Sequence, residues 1–169
     1  MRGAGALLLI AAFFLFGLNA VREKRAHIHA LRELAGALEL FSAELALHTA
    51  PIPEAVSSTA HLAVGKGREL FRVLSRRLCC LGEESFAQLW SGAVRLSCGE
   101  LSSREREELE TLGASLGRYD LDTQLRELRA CCAFLSARRE EAEQALPAER
   151  RLWLGLSASA GAFLAILLL

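Results

Sequence analysis

The sequence has no excess of charge of either sign: 20 Lys and Arg balance 20 Asp and Glu across 169 residues. A chain without a basic surplus builds no field that steers nucleic acid, which argues against DNA or RNA as a partner. Runs of alternating apolar and polar residues are also missing, and without strands an α/β nucleotide-binding fold is excluded. No Ser/His, Cys/His or paired-acid arrangement stands at a spacing that a reaction requires. His48 and His61 with Glu44 and Glu54 have neither an HExxH nor a paired CxxC pattern to support a metal cluster. The expectation is therefore no enzyme activity, no cofactor and no metal. Gly65-Lys66-Gly67 lacks the earlier glycine and the following Ser or Thr of a phosphate loop. The five cysteines, Cys79, Cys80, Cys98, Cys131 and Cys132, are odd in number and partly adjacent. They read as free thiols, with one of each adjacent pair facing the core and the other its edge.

Long apolar runs are present, one at each end, and lift the mean hydropathy to +0.26. Gly3–Val21 carries no ionisable residue and spans roughly 28 Å as a helix, enough to cross a bilayer. A cleaved signal peptide fits less well. Only Arg2 precedes the apolar run, Leu18 stands where a small residue is needed, and Arg22, Lys24 and Arg25 follow, all of which favour an uncleaved anchor. Leu152–Leu169 forms a second uncharged run, with Ser157, Gly161 and Ala165 at four-residue spacing, a weak pattern for close helix approach and self-association. Basic residues flank both runs on the side of residues 22–151, so the positive-inside tendency places that central domain in the cytoplasm.

About 130 residues remain between the anchors, enough for one helical core. Leu31, Leu34, Leu38, Phe41 and Leu45 recur at the steps of a helix with one apolar stripe. Pro51 and Pro53 then break the chain, and the next helix is expected to start at Pro53 with Glu54 in its first turn. Further helices are read over Arg68–Leu81, ended by Gly82, and over Ser85–Cys98, where Trp90 is the one tryptophan of the central domain and a core candidate. Ser102 and Glu105 form a capping box for another helix.

The segment Leu109–Gln124 joins two helices. Leu109, Leu112 and Leu116 share a face, Gly113 and Gly117 are packing or turn glycines, and Asp120 caps a helix carrying Leu121, Leu125, Leu128, Cys132 and Leu135. A turn of about three residues makes the arms antiparallel. The second arm runs on through polar Arg138–Glu143 to a joint at Pro147. The whole reads as an all-α bundle of about six helices with a long antiparallel hairpin, flanked by transmembrane helices.

These blocks together resemble one family, stage III sporulation protein AB of endospore-forming bacteria. Glu44–Ala55 (ELALHTAPIPEA) is similar to the family's segment with its TPLPEA core. Trp90 stands where tryptophan is common, and Leu112–Gln124 (LGASLGRYDLDTQ) follows the pattern LGxxLGxxDxxxQ. Ala50 replaces the usual threonine before the first proline, and Leu47 an aromatic. The resemblance implies a component of the mother-cell to forespore channel, assembled with a dedicated ATPase and other membrane proteins. It also implies likeness to the F-type platform proteins of type II secretion and type IV pilus machines. The expected function is a non-enzymatic scaffold in the mother-cell membrane around the forespore. Its expected protein contacts are Pro51, Pro53, Glu54, Gly113, Gly117, Asp120 and Gln124. An unrelated membrane-tethered adaptor or sensor, and a thiol- or metal-dependent enzyme, are the alternatives.

Overall fold

The computed structural model describes residues 2–48, 51–116 and 120–168, and side-chain surroundings for 15, 18–47, 51–116, 120–147, 155 and 159. Six α-helices follow in order: α1 Arg2–His48, α2 Ile52–Leu62, α3 Gly65–Arg77, α4 Phe86–Ser97, α5 Ser103–Ser115 and α6 Leu121–Leu168. A 3₁₀ turn over Leu78–Cys80 follows α3. No strand occurs among the described residues; Leu81 and Glu84 form only an isolated bridge. The all-α expectation holds.

The chain divides into two compact units, one of His29–Arg139 and one pairing Met1–Ile28 with Glu140–Leu169. In the first, the helical stripe of α1 is the spine of the core. Leu31, Leu34, Leu38, Phe41 and Leu45 are all buried, and so are Leu70, Phe71 and Leu74 of α3, Leu89, Trp90 and Val94 of α4, and Leu109 and Leu112 of α5. Burying one such side chain contributes about 1.5–3 kcal/mol, so this shared cluster dominates the stability of the unit. The Phe71 ring lies 5.2 Å from Phe41 and meets Trp90 edge-on at 5.9 Å, linking α1, α3 and α4.

Helix ends follow local chemistry. Ser85 and Ser102 each accept a hydrogen bond from the backbone three residues on, completing capping boxes with Gln88 and Glu105. Only the Ser102 box was read from sequence. Helix α2 begins one residue before Pro53, with Pro51 as its cap; both prolines then sit where an amide donor is not needed. Helix α3 starts three residues before Arg68 because Glu33 on α1 accepts a 2.8 Å hydrogen bond from the Lys66 amide, supplying a cap from a distant segment. Gly65 takes φ +51, and a Cβ on Gly67 would meet the Glu33 carbonyl at 2.6 Å. The Gly-Lys-Gly segment is thus a helix start pressed onto α1.

Four further expectations are corrected. Helix α3 ends at Arg77, not Leu81, which is exposed. Pro147 lies inside α6 and does not divide it, since one lost hydrogen bond does not unwind a helix flanked by good helical sequence on both sides. Cys131 and Cys132 are both buried, because α6 is covered on two sides: Cys132 Sγ lies 3.8 Å from the Ala35 carbonyl of α1, and Cys131 lines a groove with α5. Leu121, expected on an apolar face, is exposed.

The apolar stretches are the outer parts of α1 and α6. Among the described residues no helix is long and apolar enough to cross a membrane. Most side chains of Gly3–Val21 and Leu152–Leu169 lie outside the described set.

Candidate functional site

The expected contact residues fall at two places. At the α1–α2 corner, Pro51, Pro53 and Glu54 are all exposed. The Pro51 carbonyl accepts from the amides of Glu54 at 2.9 Å and Ala55 at 3.2 Å, so α2 is wound tightly from its first turn. Leu47, at 78% exposure, lies on the α1 side of the corner. Thr49 and Ala50 are outside the described residues. The corner thus carries two exposed prolines, an exposed carboxylate and an exposed apolar side chain close along the chain.

At the hairpin, the arms run antiparallel: Glu105 of α5 pairs with Arg138 of α6 at 3.5 Å, while Leu112, Ser115 and Thr123 line the groove near the turn. Asp120 is exposed and accepts a hydrogen bond from the Thr123 amide at 3.2 Å, the N-cap expected of it. Hydrogen bonding to the Thr123 side chain first, and to its backbone second, holds the Asp120 carboxyl below the usual carboxylate range. Gln124 is buried. Gly113 is buried too, and a Cβ there would lie 2.6 Å from Cγ of Trp90. Both positions are thus covered by neighbouring elements of the fold. Gly117 lies outside the described residues.

Two features that sequence reading missed bear on this surface. Trp90 donates its indole N–H to the Leu109 carbonyl at 2.6 Å, so the tryptophan and the glycine-bearing helix form one packed unit; the paired presence of Trp90 and Gly113 was the available signal. Glu110 accepts from Arg95 at 2.9 Å and from Ser91 at 2.8 Å, tying α5 to α4. The Arg95 bond, followed by that of Ser91, draws the Glu110 carboxyl below its ordinary range.

The cysteines divide by burial. Cys79 is exposed and Cys80 half-buried, with their sulfurs 3.7 Å apart. Burial pushes the thiols of Cys98 and Cys131 up to about 12 and that of Cys132 to about 11, which disfavours the thiolate. Among the described residues no three His, Cys, Asp or Glu side chains group as metal ligands.

The family model for stage III sporulation protein AB matches residues 2–169. The chain belongs to the stage III sporulation protein AB family. A solved structure titled "Stage III sporulation protein AB" superposes with a TM-score of 0.61 at 27% sequence identity, covering 70% of this chain and 94% of that one. No curated protein matches the sequence. The resemblance drawn from the proline corner, Trp90 and the Leu112–Gln124 block therefore holds, and with it a role in sporulation.

Proposed function

We propose that this sporulation protein is a non-enzymatic platform subunit of the mother-cell to forespore channel. Its helical domain, residues 22–151, sits in the mother-cell cytoplasm, and Gly3–Val21 and Leu152–Leu169 anchor it in the membrane around the forespore. The observation that carries this reading is the pairing of Met1–Ile28 with Glu140–Leu169 in one compact unit. Both apolar ends belong to that unit, and both run on as unbroken helices, α1 and α6, from the segments that build the core of His29–Arg139. The anchors themselves rest on sequence composition and basic flanks. A domain held at both ends transmits a displacement or torque to the bilayer, whereas one held at a single end swivels.

Such a platform needs a partner that works on it, and the sporulation ATPase together with other channel subunits fills that place. Of the contact candidates, the proline corner (Pro51, Pro53, Glu54) and Asp120 are the ones with exposed side chains among the described residues. The test is co-purification of the detergent-solubilised full chain with the sporulation ATPase. Wild type is expected to retain the ATPase and Glu54→Lys to release it, with an unchanged melting profile in the variant. Absence of any retention by wild type rejects the docking role.

A further inference from the structure

Helix α3 presents an arginine row that pairs with no carboxylate among the described residues. Arg68, Arg72 and Arg76 stand four residues apart on its exposed face. Arg68 Nε donates to the Ala63 carbonyl at 2.6 Å and Arg76 Nε to the Arg72 carbonyl at 3.4 Å, and among the described residues no carboxylate pairs with any of the three. The only acid of α3, Glu69, is held by Lys66 at 2.9 Å. Other arginines of the same unit do have acidic partners: Arg77 with Glu84, Arg95 with Glu110 and Arg138 with Glu105. Like charges at this spacing weaken a helix, so the row is a local conflict left unresolved within the chain.

The complementary feature lies between the hairpin arms. A groove of about 380 Å³ is lined by Glu108 of α5 and Glu127 of α6 over a floor of Leu112 and Cys131. Neither carboxylate has an ion-pair partner among the described residues, and small residues, Ala114 and Ala130 among them, line the groove. Helix α4 packs on both α3 and α5, and no ion pair among the described residues joins the arginine row to the acidic groove.

We infer that a second copy of this chain supplies the match, the arginine row of one copy seating against the Glu108–Glu127 groove of the next. Guanidinium and carboxylate groups pair through two parallel hydrogen bonds, and helical spacing presents the donors in sequence. The contact is head-to-tail, so it propagates from copy to copy and yields a ring where the rotation closes. It does not depend on which protein docks at the proline corner.

Two charge-reversed chains test it: one with Arg72→Glu and Arg76→Glu, the other with Glu108→Arg and Glu127→Arg. Each full chain is studied in detergent by sedimentation at low and high salt. Wild type is expected to self-associate at low salt and to dissociate as salt rises. Each variant alone should lose association by at least about tenfold. Mixing the two should restore it, since each then offers the other a complementary surface. The charge-removing changes Arg72→Gln and Glu127→Gln should weaken association at unchanged melting temperature. A monomeric wild type, variants that associate as wild type does, or a mixture that stays apart would each overturn the inference. Salt-resistant association would assign oligomer formation to the apolar ends. Binding of the wild type to anionic but not zwitterionic vesicles, lost with the arginine changes and without self-association, would assign the row to a membrane surface.

Discussion

A methyl group on Gly113 would meet the indole of Trp90, 2.6 Å from Cγ and 2.9 Å from Cβ. The indole has no room to retreat, since its N–H is bonded to the Leu109 carbonyl and Phe71 and Phe86 flank it. Alanine inside a helix gains up to about 1 kcal/mol over glycine, but overpacking a filled core costs about 1–3 kcal/mol, and here the second effect wins. Gly113→Ala is therefore expected to lower unfolding stability in urea; a variant as stable as wild type would contradict the tight fit. Asp120 presents a different case, being exposed and bonded only to its own helix. Asp120→Asn should preserve the melting temperature and Asp120→Ala lower it, because asparagine caps as well as aspartate. An unchanged melt with alanine, joined to loss of ATPase retention, would show that its importance lies in contact.

Among the elements, α3 depends on charges that titrate. Lys66 bridges Glu69 and Glu100 at 2.9 and 2.8 Å. The hydrogen bond from Lys66 lowers the Glu100 carboxyl below its ordinary 4.5, and those bonds, Glu100 foremost, raise Lys66 above its ordinary 10.5. A lowered acid stabilises the fold above its unfolded value and loses that contribution as pH falls through the folded one. A raised base does so below its unfolded value and loses it as pH rises through the folded one. Both contributions are present between 4.5 and 10.5, and water screens both because the groups are largely solvated. Lys66→Met is expected to flatten the acid side of a melting-temperature profile; identical acid limbs would count against the pairing. Helix α6 carries its own weakness at Pro147, which withholds a donor from the Glu143 carbonyl. An interior proline costs about 3 kcal/mol, so Pro147→Ala should slow amide exchange across 143–151, and unaltered exchange would show that neighbours already compensate.

For the molecule as a whole, the thiols report on topology. Cys79 is exposed while Cys98, Cys131 and Cys132 are buried and hold their protons well above neutral pH. Under the proposed arrangement a membrane-impermeant maleimide should leave intact mother cells unlabelled and react at Cys79 once the membrane is opened. Cys79→Ser should remove most of that signal. Labelling of intact cells would put the domain on the opposite side and take away the case for a cytoplasmic ATPase as partner.

The sequence alone determined the helical class, the α1 stripe from Leu31 to Leu45, the hairpin with its Asp120 cap, the Ser102 capping box and the family. Each is encoded in residues close along the chain, through periodicity or a cap three positions away. Only the tertiary structure decided what distant residues do to one another. Glu33 starts α3 from 33 positions away, Gly113 makes room for Trp90, and α1 and α5 close over the two cysteines of α6. Local pattern is silent on these because each depends on which surfaces meet after the helices pack. It is also why the proline corner and Asp120 are exposed while Gly113 and Gln124 are buried.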